Sequence, residues 1–338
     1  MRLRRLAGAF VLSAVALGAS AAHANPYLPP AGKVFAGVSG SIALEDNEVP
    51  GFSARAGKHA SVIQTFTAWT YNYTRYLRTA ARHEARVMVH ISTDGGSAGR
   101  EVITPRGIAM GHGDGHIVHL TRAYADSGQV VYVRIMAEMN GSWNSYSAYG
   151  PGYKGGAHST HNFKQAWRRI VLIMRGGPVD QINASLHRLG LPPVRRASGD
   201  LPRPKVAFMF VPEVWGDPNV PGNSARAYYP GSRYVDWVGT DFYSKFPNYR
   251  GLNAYYAEFP NKPFVFGEWA LWGHDDPGFV RGLFGWIKSH RRVHMVMYNQ
   301  GSHPSESPFE LARYPRSAAV LRHELSSPLF APLAPEFS

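Results

Sequence analysis

The sequence predicts a (β/α)8 barrel, an α/β fold in a single domain, from two observations. Eight short apolar runs alternate with longer amphipathic or polar stretches along the chain, and this alternation is typical of βα units joined in a parallel sheet. Two glutamates, Glu138 and Glu268, each close one of these runs. Because barrel enzymes carry their catalytic groups where buried strands end, both observations favour the same architecture.

The first 24 residues have the features of a signal peptide. Arg2, Arg4 and Arg5 form a positively charged beginning, an apolar stretch covers 6–17, and Ala22-His23-Ala24 offers a cleavage site. The apolar stretch is short for a retained membrane anchor, which is the alternative. We therefore expect a secreted or periplasmic protein, with residues 1–24 removed and one catalytic domain over 25–338.

The predicted strands cover 34–38, 61–66, 86–91, 130–136, 205–210, 237–240, 263–266 and 293–298. Helices are predicted over 70–83, 117–127, 163–174, 277–290 and 317–325, the fourth starting with an acidic cap, Asp275-Asp276, before Pro277. Two long insertions, 142–159 and 190–203, separate these elements. A doubly wound open sheet is the rival fold, but Gly37-Val38-Ser39-Gly40 lacks the third glycine of its phosphate-binding fingerprint.

Composition narrows the range of partners. The formal charge is +13 and there is no cysteine, so the domain must fold without disulfides. A positive balance favours anionic surroundings, yet the basic residues are scattered and no nucleic-acid motif accompanies them. No run after the signal segment is long enough to cross a bilayer. We expect a monomer whose partner is a polysaccharide, with no nucleic-acid partner and no membrane insertion.

The fourth predicted strand carries an arginine, Arg134, that is expected to face the same way as Glu138. Side chains alternate along a strand, so Arg134, Met136 and Glu138 are expected on one face. An arginine inside a barrel is costly unless it is paired, which predicts a carboxylate partner for Arg134 in the barrel mouth. The alternative is that Arg134 points outward and caps a helix.

Three segments resemble glycoside hydrolase family 26, the family of many β-mannanases. They are Arg134-x-x-x-Glu138-Met139-Asn140-Gly141-x-Trp143, the segment 229–243 that ends Trp237-Val238-Gly239-Thr240-Asp241-x-Tyr243, and Lys262-Pro263-x-x-x-x-Gly267-Glu268. The resemblance covers about 34–298 and implies a retaining (β/α)8 hydrolase that needs no cofactor and no metal.

By matched position, the resemblance implies that Glu138 is the acid/base and Glu268 the nucleophile. Tyr243 would hydrogen-bond the nucleophile, and Trp143 would line the sugar site. Two carboxyl groups about 5–5.5 Å apart are what a retaining mechanism requires. Aromatic faces stack on pyranose rings. The remaining predicted substrate-binding residues are Arg134, Asn140, Trp269, Trp272, Asp94 and Trp69, of which Asp94 is equally a turn residue and Trp69 equally a core residue.

The sequence departs from the family pattern at one position beside the acid/base. Family mannanases usually have histidine before that glutamate, and here the residue is Ala137. The further aromatics expected after Trp143 are replaced by Asn144-Ser145-Tyr146-Ser147. We therefore expect weak activity on plain mannan and better activity on another β-glycan.

Two groups of polar residues are weaker candidates. His112, His116 and His119, with Asp114 among them, could suggest a metal site, since the three histidines have the spacing of ligands on one helix face. The surrounding glycines make this stretch a poor helix. The resemblance, through a Gly-x-x-Asp pattern matched by Gly111 and Asp114, implies capping and surface roles instead. Glu213, after the fifth strand, is a third carboxylate, either a substrate contact or a surface group.

The sequence therefore predicts a retaining hydrolase of β-mannan or a related β-glycan. An acidic exopolysaccharide is the alternative substrate. The rivals from other classes are a non-catalytic glycan-binding barrel and a basic protein that binds nucleic acid or anionic envelope polymers.

Overall fold

Eight parallel strands close into a barrel in strand order along the chain, as predicted. The structure, a computed structural model, describes residues 27–40, 48–71, 74–95, 100–150, 155–197, 199–301 and 307–338; the predicted signal segment lies outside them. The strands are β1 (Phe35–Gly40), β2 (Val62–Thr67), β3 (Arg86–Ile91), β4 (Val130–Ile135), β5 (Lys205–Phe210), β6 (Trp237–Tyr243), β7 (Phe264–Ala270) and β8 (Val293–Asn299). Pairing of β1 with β8, starting at Phe35 opposite Met295, closes the barrel.

Helices cover the outside of the barrel. They are α1 (Glu48–Ala56), α2 (Thr74–Arg82), α3 (Pro105–Ala109), α4 (Asp114–Ser127), α5 (Thr160–Met174), α6 (Val179–Arg188), α7 (Ala225–Tyr228), α8 (Tyr249–Glu258), α9 (Pro277–Ser289) and α10 (Pro315–Leu325). The predicted cap of α9 is confirmed, since Asp276 accepts a hydrogen bond from the Phe279 amide at 2.9 Å. Five of these helices, α1, α3, α6, α7 and α8, were not predicted from the sequence, and α3 and α7 are too short to have a visible period.

Strand alternation divides the core into two layers. Along β4, Val131, Val133 and Ile135 pack outward against the helices. Tyr132 points into the barrel, where it joins Met88 and Trp237. This inner layer fills the barrel, as the fold requires.

The lower end of the barrel is closed by an ion pair. Arg86 on β3 donates to both carboxylate oxygens of Glu336 at 2.8 Å and to the Tyr132 hydroxyl at 2.7 Å. The backbone of Tyr27 accepts from Arg86 as well. Segments from both ends of the described chain therefore meet under the barrel.

The alternation fails at two strand ends, and both failures matter for the site. The strand β4 stops at Ile135, because Met136 and Glu138 have positive φ angles of 45° and 51°. Met136 consequently packs in the outer layer, so the prediction that it shares a face with Arg134 was wrong. In β7 the pairing register shifts between Phe266 and Glu268, which leaves Gly267 as an extra residue in a bulge.

The bulge reverses the side-chain directions that simple alternation would give to β7. Val265 points into the barrel and Phe266 outward. Uninterrupted alternation would then send Glu268 outward and Trp269 inward. With Gly267 bulged, Glu268 turns into the barrel to bind Arg134, and Trp269 packs outside against Phe284 and Tyr298.

Candidate active site

A buried arginine organises the upper end of the barrel. Arg134 on β4 has no exposed surface. Its guanidinium donates to Asp241 Oδ2 at 2.6 Å and to Glu268 Oε1 at 2.8 Å. It also donates to Gln64 Oε1 on β2 at 3.0 Å. The predicted carboxylate partner of Arg134 is thus present twice, and the outward-pointing alternative was wrong.

Glu268 is surrounded by donors. Besides Arg134, the Tyr243 hydroxyl donates to Oε2 at 2.5 Å and the Asn299 amide donates to the same oxygen at 2.7 Å. Burial raises the pKa of Glu268, while the charge of Arg134 and the hydrogen bond from Tyr243 act in the opposite direction. These donors favour the carboxylate form, which is the form a nucleophile needs.

The glycine of the bulge permits the close approach of these groups. A Cβ atom at Gly267 would lie 2.8 Å from Asp241 Oδ1 and 3.0 Å from the Arg134 guanidinium carbon. The guanidinium therefore packs against bare backbone, and its Nη1 reaches the Gly267 carbonyl at 3.4 Å. The residue type at 267 and the ion pairs of Arg134 depend on each other.

Glu138 stands beyond the end of β4 on a backbone that the neighbouring segments hold. Its amide donates to the Val211 carbonyl at 2.7 Å, and its carbonyl accepts from the Asn144 side chain at 2.9 Å. The indole N–H of Trp143 donates to Glu138 Oε2 at 2.7 Å. Trp143 is 55% exposed, so its ring remains available on the rim of the mouth.

An imidazole lies next to Ala137, the position where the resemblance would place histidine. His90 on β3 accepts the Ala137 amide N–H through Nε2 at 3.3 Å. Burial, together with the nearby Arg134 charge, lowers the pKa of His90 to about 3. Tyr146 donates to the Ala137 carbonyl at 2.6 Å. A neutral histidine from a neighbouring strand therefore borders the site.

Aromatic rings extend the mouth on the side of Glu268. Trp272 packs edge-on against Tyr243, Phe246 and Phe309, with centroid separations of 5.7, 5.8 and 5.0 Å. The Lys245 ammonium lies 4.8 Å from the centroid of the Trp272 ring. Trp272 thus lies beside Tyr243, which donates to Glu268, and its sugar-binding role stays a prediction.

Four other predicted substrate-binding residues contact groups other than the two glutamates. Trp269 is 2% exposed and belongs to the outer core. Asn140 is buried and uses its amide to pair with the Glu213 backbone, at 2.9 and 3.0 Å. Asp94 accepts from Ser92 and Ser145. Trp69 is buried and borders a cavity of about 320 Å³ with His112, His116, Arg195 and Arg196.

Asp114 has neither of the roles that the sequence analysis considered for it. It is buried, and both its oxygens bind Arg169, at 2.7 and 2.6 Å. The capping role was wrong, because α4 is preceded by Gly113 and has no side-chain cap. Within the described ranges, no group of three or more histidine, aspartate or glutamate side chains is arranged to hold a metal ion.

Several site residues were missed by the sequence analysis. They are Gln64, His90, Asp241, Asn299 and Phe309. Gln64 and Asn299 interrupt or close apolar strands, and a polar residue at such a position is a usable signal. Asp241 was inside a quoted motif but was not chosen.

Comparison with solved structures supports the predicted resemblance at the level of the fold. A family 26 β-mannanase from Bacteroides ovatus has a TM-score of 0.58 at 17% sequence identity, with 90% of this chain and 91% of that chain covered. A mannanase from Bacillus subtilis has a TM-score of 0.57 at 16% identity, covering 86% of this chain and 85% of its own.

A further neighbour is the family 26 protein of a Muricauda species, with a TM-score of 0.57 at 15% identity and coverage of 89% and 92%. The sequence itself matches no protein-family model and no curated protein. None of the helices in the described part of the chain is long and apolar enough to cross a membrane. This chain therefore has the barrel fold of the family 26 hydrolases.

Proposed function

We propose that this protein is a retaining glycoside hydrolase that cleaves a β-linked polysaccharide. The observation that carries the proposal is the contrast between two glutamates at one barrel mouth. Glu268 is bound by Arg134, Tyr243 and Asn299 as an anion would be. Glu138 stands among other carboxylates, with only the Trp143 indole donating to its side chain among the described residues. Such a difference in environment separates a nucleophile from an acid.

The proposed reaction has two steps. Glu268 attacks the anomeric carbon while Glu138 gives its proton to the leaving oxygen, and a covalent glycosyl-enzyme forms. Glu138, now ionised, then takes a proton from water, which attacks the anomeric carbon and releases Glu268. Arg134, Tyr243 and Asn299 hold the nucleophile in place, and Trp143 and Trp272 offer ring faces to the sugar.

The mannanase neighbours make β-mannan the first substrate to test, followed by other β-glycans. The acidic exopolysaccharide is disfavoured at the catalytic position. Glu213 is acted on by the charges of Glu138, Asp241 and Glu268, and Arg134 is the cationic partner of the latter three. A uronic acid carboxylate would be repelled by this mouth, although the protein as a whole is basic.

Azide rescue on an activated aryl glycoside tests the two roles. Glu268→Ala should lose nearly all activity on every substrate. Glu138→Ala should keep its first step with a good leaving group, and azide should speed its second step, because a small anion needs no general base. Azide should give a retained glycosyl azide with Glu138→Ala, whereas any azide product of Glu268→Ala should be inverted. The opposite pattern, inversion with Glu138→Ala and retention with Glu268→Ala, would exchange the roles. Wild-type rates in both variants would favour the glycan-binding barrel.

A polysaccharide panel with reducing-end analysis tests the substrate class. We expect weak cleavage of plain mannan and stronger cleavage of another β-glycan, since position 137 lacks an imidazole of its own. Mannan cleavage at about 1–1000 per second would show that Ala137 is tolerated. We also propose that 1–24 is a signal peptide, and a mature N-terminus near Asn25 in the exported protein would support this.

A further inference from the structure

Glu213 is held beside Glu138 by the backbone. The Asn140 side chain accepts from the Glu213 amide at 2.9 Å and donates to the Glu213 carbonyl at 3.0 Å. The Glu138 amide reaches back to Val211, at 2.7 Å. The segments that follow β4 and β5 are therefore joined beyond the end of the sheet. The carboxyl group of Glu213 lies within interaction distance of the Glu138 carboxyl group.

A second carboxylate, that of Asp241, acts on Glu138. Asp241 is 2% exposed, and its Oδ2 binds Arg134. Its Oδ1 is buried and has no donor among the hydrogen bonds of the described residues. The carboxyl groups of Glu138 and Asp241 also interact with each other. Two carboxyl groups attract each other only when a proton lies between them, so this arrangement requires a protonated member.

We propose that Glu213 is a positioning residue of the reaction, which shares a proton with Glu138 and keeps the acid form of Glu138 available. This inference rests on the proposed hydrolase function. Before the first step the one shared proton lies on Glu138, and the ionised Glu213 accepts a hydrogen bond from it. Glu138 gives this proton to the leaving oxygen in the first step and takes another from the attacking water in the second. No proton is gained or lost by the pair over the full cycle.

The surroundings of Glu213 are consistent with proton retention. Burial is the main cause that raises its pKa, followed by the negative charges of Glu138 and Asp241. The titratable and charged groups that face the pair from the adjoining elements are His90 on β3, Arg134 on β4, Tyr146 in the following loop, Asp241 and Tyr243 on β6, and Glu268 on β7. Carboxylates outnumber the one arginine in this set.

The pH profile of Glu213→Gln tests the proposal. The glutamine keeps the size of the side chain and the backbone pairing with Asn140. It removes one carboxyl group of the pair, so the shared proton should be lost at lower pH. We expect the alkaline limb of the kcat/KM profile to move to lower pH by about one unit or more. The maximal rate should stay within about threefold of the wild-type rate. A purely structural role would lower the rate at every pH without moving the limb.

Asp217→Asn is the matched control, because it removes a carboxylate from the same loop, where Asp217 is exposed and accepts from Ser142. Its alkaline limb should stay in place. Thermal unfolding of both variants checks that the fold is kept. Glu213→Asp, which retains a carboxyl group, should restore part of the wild-type limb.

Carboxyl-carbon NMR of glutamate-labelled protein separates failure of this inference from failure of the proposed function. At neutral pH the wild type should contain a protonated glutamate signal that Glu213→Gln lacks, whatever the substrate is. If the wild type is active but Glu213→Gln has the same alkaline limb and the same NMR signal, the inference is wrong and the hydrolase function stands. Absence of hydrolysis on every glycan, with the signal present, would instead refute the function.

Discussion

At the scale of single residues, the site depends on how many partners each polar group has. Arg134 serves Gln64, Asp241 and Glu268 at once, which a lysine ammonium could not match with the same planar geometry. Trp143 combines an exposed ring with a hydrogen bond to Glu138. These two residues therefore give separable effects on stability and on rate.

Arg134→Met should damage both stability and activity. It would leave Asp241 and Glu268 without their buried cation, and loss of one partner of a buried pair costs about 3–5 kcal/mol. Activity should fall on the order of 100-fold or more. Denaturant unfolding and kcat/KM check this, with Arg175→Met as the control, because the Arg175–Asp236 pair is partly exposed. An Arg134→Met protein as stable as wild type would contradict the burial argument.

Trp143→Phe should reduce the rate while leaving stability within about 0.5 kcal/mol. The ring is kept, but Glu138 loses the N–H that would stabilise its carboxylate as the leaving group departs. A hydrogen bond to a charged group is worth about 1.5–3 kcal/mol, so kcat/KM should fall roughly 10- to 100-fold. Trp215→Phe, at a residue 52% exposed, is the control and should have wild-type kinetics. If Trp143→Phe and Trp215→Phe have equal kinetics, the indole N–H of Trp143 has no role in the rate.

At the scale of elements, the ends of β4 and β7 decide which groups face the mouth. Positive φ at Met136 and Glu138 ends β4 and redirects its chain toward β5. The bulge at Gly267 turns Glu268 inward and Trp269 outward. One inserted residue exchanges the faces of all residues after it, so the bulge is as necessary to the site as the glutamate.

Gly267→Ala should therefore destabilise the protein and lower its activity. The added Cβ would press on the Asp241 carboxylate and the Arg134 guanidinium, and overpacking of this kind costs about 1–3 kcal/mol. Gly285→Ala is the matched control, since this α9 glycine is exposed and has open space for a Cβ. The control should gain about 0.5–1 kcal/mol from helix propensity. Thermal unfolding compares the two, and equal shifts would contradict the close packing at 267.

At the scale of the whole molecule, two layers of apolar side chains enclose a few buried polar groups, and these groups link stability to pH. His90 and His116 are disfavoured in their charged forms, because burial lowers their pKa values to about 3 and about 4. The unfolded chain takes up these protons near the ordinary histidine pKa of about 6.5. The contribution of these histidines to stability is thus present above about pH 6.5 and is lost as the pH falls toward the folded-state values.

His90→Gln should flatten this dependence. Between about pH 6.5 and pH 3 the variant should lose less unfolding free energy than the wild type, because it has no buried imidazole to protonate. His187→Gln, at an exposed position of α6, should follow the wild-type curve. Denaturant unfolding at a series of pH values measures the difference. Parallel curves for His90→Gln and wild type would show that His90 is protonated without cost.

The sequence by itself determined the barrel, its eight strands and the positions of two glutamates, one just beyond β4 and one in β7, because alternation and apolar runs are local properties of the chain. The predicted convergence of Arg134 and Tyr243 on Glu268 is present in the structure. Only the tertiary structure decided that Gln64, Asp241 and Asn299 join them, and that Glu213 lies against Glu138. These contacts depend on barrel closure and on the bulge in β7, which bring together residues far apart in sequence and set which way each side chain points.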